Sequence, residues 1–173
     1  MPLILSGDTG VPASGMPTGS VIQTVQTVKT DTWTSTSSTW VNVTGLTATI
    51  TPTSASSRIL VMASVAVGLN PNYFQFIRLA RNDSAILVGD AAGSRVQTQG
   101  MVYMYNQINP SNAQITWSGS VVDSPASTSA LTYSIQMQQD SSQTMYVNRL
   151  QRDDNASYEP RSASSLILME IKG

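Results

Sequence analysis

Few residues in this chain are of the types that usually carry out chemistry. There is no cysteine and no histidine, and only Asp153, Asp154 and Glu159 bring several carboxylates close together in sequence. Acid–base catalysis without histidine needs two carboxylates that face each other. Because adjacent residues of an extended chain point to opposite faces, Asp153 and Asp154 do not form such a pair by themselves. We predict no catalytic residue and expect the protein not to be an enzyme.

The same acidic segment contains the ligand types that a calcium ion prefers. Asp153, Asp154 and Asn155, with nearby backbone carbonyls, would supply oxygen atoms. The segment lacks a recognisable calcium-loop spacing, so a solvated polar loop and a calcium site both stay open. Zinc is disfavoured because its usual protein ligands, cysteine and histidine, are missing. Phosphate-loop and nucleophile-elbow patterns are absent as well, and we predict neither a metal ion nor another cofactor.

Aromatic side chains are the remaining candidates for ligand contact, because their flat faces can stack on a sugar ring. Trp117 and Tyr133 lie in stretches of alternating apolar residues, which predicts that they belong to the core. Trp33 lies in a serine- and threonine-rich run, and Tyr158 lies in the most polar part of the chain. These two residues are therefore the candidate contacts for a host surface glycan.

Charged residues are scarce and evenly balanced. They make up 11% of the chain, and nine basic against ten acidic residues leave a net charge of −1. The arginines are scattered, whereas a nucleic-acid or anionic-membrane partner would require clustered positive charge. Serine, threonine, glutamine and asparagine replace the missing charges. Such a surface can associate with a copy of itself without burying unpaired charge, so the composition favours a homo-oligomer.

No stretch of the sequence has the pattern of a membrane span or an export signal. The longest apolar run, residues 58–69, is too short for a bilayer, which needs about 20 apolar residues. The first residues lack the positive region and the long apolar core of a signal peptide. We expect the protein to be made in a cytoplasm and not exported by the general secretion route.

The apolar pattern predicts an all-β fold. Residues 58–69 and 164–171 are almost continuously apolar, which predicts two central strands covered on both faces and paired with each other. Residues 131–138 alternate strictly, and a change of parity at Gly45 indicates a turn or β-bulge. Phe74 and Phe76 share a parity that predicts an inward position. Central strands near both ends of the domain are typical of jelly-roll winding, so we predict an antiparallel, jelly-roll-like β-sandwich.

Residues 1–20 differ from the rest of the chain. They are rich in proline and glycine, and Leu3, Ile4 and Leu5 form their single apolar cluster. This composition predicts either a disordered leader or an extended arm that attaches to a partner through those three residues. We divide the chain into an N-terminal attachment arm, residues 1–20, and a β-sandwich head domain, residues 21–173.

Several stretches together resemble small virion proteins of tailed bacteriophages, of the type common in aquatic phages. They are LILSGDTGV (residues 3–11), GSVIQ (19–23), LTATITP (46–52), SSRILV (56–61), YVNR (146–149) and SLILMEI (165–171). The resemblance implies a trimeric β-sandwich head whose N-terminal segment attaches to the virion. No long stalk precedes the head, and this departure from a full-length fibre favours a decorating role on the capsid or tail.

Three hypotheses follow for the function. The first is a short fibre or knob of the virion, built from a homotrimer and bound to other capsid or tail proteins through Leu3, Ile4 and Leu5. The second is a capsid decoration protein that uses the same arm to stabilise the shell. The third is a carbohydrate-binding module that uses Trp33 and Tyr158. The first two imply a location in the virion, and all three exclude nucleic acid and membrane as partners.

Overall fold

The computed structural model describes residues 15–70, 72–103 and 113–173, and these residues contain eleven β-strands and no α-helix. The strands are β1 (Val21–Lys29), β2 (Trp33–Ser35), β3 (Val41–Ile50), β4 (Arg58–Gly68), β5 (Gln75–Arg81), β6 (Ser84–Ile86), β7 (Gly100–Val102), β8 (Gln114–Asp123), β9 (Leu131–Gln139), β10 (Met145–Val147) and β11 (Ser164–Ile171).

The strands form two antiparallel sheets that pack face to face. The first sheet has the order β1-β11-β4-β8. Beyond the part of β4 that pairs with β11, the short strand β10 pairs with Val67 and Gly68 of β4, and β2 pairs with β10. The second sheet has the order β3-β9-β5, and both β6 and β7 pair with the outer edge of β5. The main strands therefore follow the orders β1-β11-β4-β8 and β3-β9-β5-β7. This winding confirms the predicted jelly-roll sandwich.

The core lies between the two sheets and is built from alternate residues of each strand. Ile59, Val61 and Val65 of β4 are fully buried, and they pack with Leu166 and Leu168 of β11 against the inner face of the second sheet. Burial stabilises the fold by roughly 1.5–3 kcal/mol for each large side chain. The prediction that residues 58–69 and 164–171 are central and paired is confirmed, because Ser165 to Ile171 are matched with Ser64 to Arg58.

The prediction that these two strands are covered on both faces holds only for the end of β4, where Ala66 and Gly68 are buried as well as Val65 and Val67, and it is wrong for the rest of both strands. Leu60 and Met62 of β4 and Ile167 and Met169 of β11 point away from the core and are only half-buried. A two-layer sandwich has no third layer to cover the outer side of the first sheet. The outer side of the first sheet therefore presents partly exposed apolar residues to its surroundings.

The predicted irregularity at Gly45 is a β-bulge. Val43 and Leu46 are both fully buried although they are three positions apart, a spacing that in a regular strand would place them on opposite faces. The pairing of β3 with β9 shifts register between Asn42 and Thr47, and Gly45 has a φ of 85°. Glycine adopts this backbone conformation without a steric penalty, so the bulge returns the apolar residues of β3 to the core.

The predicted inward position of Phe74 and Phe76 is wrong. The residues of β5 that face the core are Gln75, Ile77 and Leu79, all of them buried. The side-chain amide of Gln75 donates a hydrogen bond to the carbonyl of Gly68 across 3.1 Å. Because side chains alternate along a strand, this parity places Phe76 on the outer side of the second sheet.

A charged contact joins the two sheets at the end of β8. The hydroxyl of Tyr133 and a guanidinium nitrogen of Arg81 both donate to one carboxylate oxygen of Asp123, across 2.7 Å and 2.6 Å. Burial and the negative charge of Asp123 raise the pKa of Tyr133, so its hydroxyl stays protonated as the donor. Tyr133 is in the core, as predicted.

Trp117 fills the space where β8 of the first sheet approaches β7 of the second sheet. Its side chain is largely buried, as predicted, and it lies between two glycines, Gly100 and Gly119. A Cβ atom added at either glycine would lie closer than 3.0 Å to the indole ring. The absence of side chains at these two positions is therefore what allows the indole to lie flat.

Replacing Gly119 by alanine should displace the indole of Trp117 and destabilise the fold by about 1–3 kcal/mol, which is typical of overpacking. Urea unfolding followed by tryptophan fluorescence measures the change. Gly89→Ala is the matched control, because no atom lies within 4 Å of the added methyl group. Equal stabilities of the two variants would contradict this account of the packing.

Candidate functional site

The acidic segment after β10 is a set of ion pairs. Asp153 accepts from Arg149 at 3.2 Å and also pairs with Arg161. Two guanidinium groups therefore share the carboxylate of Asp153. Their positive charges neutralise the carboxylate, and the shared contact connects the two ends of the loop. No group of three or more histidine, cysteine, aspartate or glutamate residues that would hold a metal ion occurs among the residues that the structure describes.

Arg152 connects the other acidic residues of this segment. Its Nε atom lies 2.6 Å from a carboxylate oxygen of Asp154 and 3.0 Å from one of Glu159. Hydrogen bonding to Asp154, together with the negative charge there, raises the pKa of Arg152. Asp154 and Glu159 thus meet across an arginine and do not face each other as an acid–base pair.

The base of this loop is held by Asn148, which the sequence analysis did not single out. Asn148 is fully buried and has a φ of 61°. Its side-chain amide donates to the carbonyls of Lys29 and Asp31, and its side-chain oxygen accepts from the hydroxyl of Ser164. Asparagine tolerates this backbone conformation better than most residues, and an asparagine directly after a strand is the signal that sequence analysis can use.

The structure places the two candidate glycan contacts in different surroundings. Tyr158 is 61% exposed, and the guanidinium carbon of Arg152 lies 5.9 Å from the centre of its ring. Trp33 lies on β2 and packs partly against the core. The stacked ring pairs found in the described part of the chain include neither residue. Tyr158 therefore offers most of its ring to solvent, and Trp33 offers only part.

The predicted attachment residues Leu3, Ile4 and Leu5 lie outside the described residues. Farther along the chain, residues 16–20 are fixed at the end of the first sheet. The ammonium group of Lys172 donates to the carbonyl of Met16, and backbone hydrogen bonds join Lys172 to Gly19 and Ser20. Residues 16–20 are thus held beside the end of β11.

Three aromatic rings form a stack on the outer side of the second sheet. The ring centres of Phe74 and Tyr103 are 4.3 Å apart with an interplanar angle of 16°, and those of Phe74 and Phe76 are 6.4 Å apart at 14°. Phe74 and Tyr103 are each 36% exposed. This group was not predicted from the sequence, because the shared parity of Phe74 and Phe76 predicted an inward position for both.

A fourth aromatic residue, Trp40, lies just before β3 and contacts Arg78 of β5. The guanidinium of Arg78 lies 4.0 Å from the ring centre of Trp40, and its Nε donates to the side-chain oxygen of Gln136 across 2.9 Å. Burial lowers the pKa of Arg78, but an arginine stays charged at neutral pH. We call Trp40, Phe74, Phe76 and Tyr103, with Arg78, the aromatic surface.

One buried carboxylate, Glu170 of β11, is structural. It accepts hydrogen bonds from the side chain of Gln23 and, across 2.7 Å and 2.8 Å, from the amide and hydroxyl of Thr53. Burial alone would raise the pKa of Glu170, but hydrogen bonds from the surrounding donors outweigh it and lower the pKa below its ordinary value of 4.5. The charged carboxylate holds the loop after β3 against the first sheet.

The chain matches no protein-family model, and no similar protein was found among the curated proteins. None of the described residues belongs to a helix that is long and apolar enough to cross a membrane.

Glu170 should make the fold sensitive to acid. Because its folded pKa is depressed, its contribution is complete above the unfolded value of 4.5 and is lost as the pH falls through the folded value. We expect Glu170→Gln to be less stable than the parent protein at pH 7 and to approach it as the pH falls below 4.5. Thermal unfolding from pH 7 to pH 3 measures this difference, and a difference that does not change with pH would refute the assignment.

Proposed function

We propose that this protein is a non-enzymatic structural protein of a tailed-phage virion. Its jelly-roll head forms a homotrimer that projects as a short fibre or knob, and its N-terminal arm binds other capsid or tail proteins. The sequence resemblance supports this proposal. So do the scarcity of charge and the pairing of the acidic residues after β10 with arginines.

The point at which the arm leaves the head is the observation that carries the proposal. Met16, Gly19 and Ser20 are hydrogen-bonded to Lys172, next to the last strand. An arm that starts from a fixed point can bind a partner while the head keeps a defined orientation. Extended segments bind in this way by adding to a groove or sheet edge of another protein.

Replacing Leu3, Ile4 and Leu5 together by serine should prevent incorporation into particles, because the apolar contacts with the partner are lost. Immunodetection on purified particles measures the incorporation. This triple variant keeps residues 16–20, which a deletion of the first twenty residues would remove together with their hydrogen bonds to Lys172. Val11→Ser is the control in the same segment and should be incorporated normally.

Incorporation of the triple variant at the parent level would overturn the attachment role of the arm.

The same particles distinguish a fibre from a capsid decoration protein. Particles that lack a fibre or knob should resist heat as well as complete particles do. Particles that assemble without the protein but burst on heating would favour the decoration role.

Glycan binding is the second candidate function, and the exposed aromatic surface favours it. Flat rings beside a charged guanidinium and the half-buried side chain of Gln138, which is paired with Phe76, provide stacking and hydrogen bonding together. The competing candidates are Trp33, on β2 of the first sheet, and Tyr158, in the loop after β10. All these residues carry little net charge, which suits a neutral sugar.

A glycan array should distinguish these surfaces. If the aromatic surface binds, Phe74→Ala should lower affinity at least about tenfold, as expected for the loss of a stacking contact in a binding site, and Tyr158→Ala should leave it unchanged. The opposite result would assign the site to Tyr158. The absence of binding to any glycan by the parent protein would overturn this second function.

A further inference from the structure

The outer side of the first sheet is apolar where a free sandwich would be polar. An antiparallel sheet with one face in water usually alternates apolar residues inside with polar residues outside. Here Leu60, Met62, Ile167 and Met169 lie in the middle of the outer side and are half-buried. Val28 on β1 and Val122 on β8, at its two edges, are 55% and 48% exposed.

The apolar residues are contiguous across the strands. The pairing register places Met169 beside Leu60, and Leu60 beside Val122. It also places Ile167 beside Met62. We call this side the outer face, and it consists of Thr24, Gln26, Val28, Arg58, Leu60, Met62, Ser64, Thr116, Ser118, Ser120, Val122, Ser165, Ile167, Met169 and Ile171.

The charge of the outer face identifies its partner. Arg58, at one end, is the single charged residue among those that form it. A partner selected through charge would need acidic or basic groups, and this surface offers none at its centre. An uncharged apolar face that is surrounded by serine and threonine is complementary in polarity to a second face of the same composition. The chain itself supplies one, and burying it against a copy leaves no unpaired charge at the centre.

The size of the outer face agrees with a weak to moderate interface. Four strands about 4.8 Å apart and about seven residues long at 3.4 Å per residue give a face of roughly 19 by 24 Å. Two such faces would bury on the order of 900 Å² of projected area, below the ~1,200–2,000 Å² of stable specific interfaces and near the ~1,000 Å² that marks their lower limit. The accessible area is larger, because side chains make the surface rough.

We propose that the outer face is the surface through which copies of this chain associate. The inference rests on the proposed homo-oligomer and adds the residues that form its interface. A face that pairs with itself closes a dimer about a two-fold axis, whereas around a three-fold axis it meets a different patch of the neighbour. A dimer in solution would therefore overturn the proposed trimer and keep the face, and the variants below test the face itself.

Lysine substitutions test the face without disturbing the core. Val28→Lys with Val122→Lys changes two residues that are exposed in the single chain, so the fold should be retained. In the interface both ammonium groups would be buried without partners, and the dissociation constant measured by light scattering should rise at least about tenfold. Met101→Lys, on the second sheet and 50% exposed, is the matched control and should not change association.

Methionine oxidation tests the same claim on the unchanged protein. Peroxide should oxidise Met62 and Met169 several-fold more slowly in the oligomer than in the dissociated chain, because the partner covers them. Met101 should react at the same rate in both. Peptide mass spectrometry at a series of protein concentrations measures each rate.

Each remaining outcome overturns a defined part of the proposal. A parent protein that is monomeric at all concentrations would overturn both the homo-oligomer and the interface. An oligomer that persists in the double lysine variant, or that dissociates in Met101→Lys instead, would overturn the interface alone. Protection of Met62 in the monomer would show that the chain itself covers the face, and would also overturn the interface.

Discussion

The pairing of β4 with β11 is the interaction on which the rest of the structure depends. The two strands are matched from Ser64 with Ser165 to Arg58 with Ile171, and β8 and β1 pair with their free edges. This pairing brings a strand from the first half of the chain beside the last strand. It therefore closes the jelly roll, and the inward residues of both strands supply much of the buried aliphatic core.

Each side of the sandwich then has a different surface. The inner sides share one apolar core, whereas the outer side of the first sheet is uncharged and apolar at its centre. The outer side of the second sheet carries the stacked rings of Phe74 and Tyr103, and Arg78 lies against Trp40. The acidic loop after β10 carries paired charges, and its base is fixed by Asn148. A ligand or partner would meet the surfaces of this scaffold, because apolar side chains fill its core.

Sequence periodicity correctly predicted the strands in which apolar residues alternate regularly and face the core. Residues 131–138 alternate, and Leu131, Tyr133, Ile135 and Met137 are indeed buried. The glycine at position 45 marked the bulge, because few other residues accept its backbone angle. The winding also followed from the two strongly apolar strands, which have to lie in the middle of a sheet.

Periodicity failed where a polar residue takes a buried position. Gln75 is buried because its amide reaches the carbonyl of Gly68, so Phe74 and Phe76 are directed outward. No local pattern reports that distant acceptor, and the aromatic surface was missed for this reason. The apolar outer face of β4 and β11 was predicted as covered, but a sequence does not distinguish cover by its own chain from cover by another molecule.

The location of the protein on a particle tests the proposed function most directly. Quantitative mass spectrometry of purified virions, combined with immunogold labelling, measures both copy number and position. We predict that the protein is present in purified particles in multiples of three at defined sites of the capsid or tail. Its absence from particles that are otherwise complete would contradict the proposal.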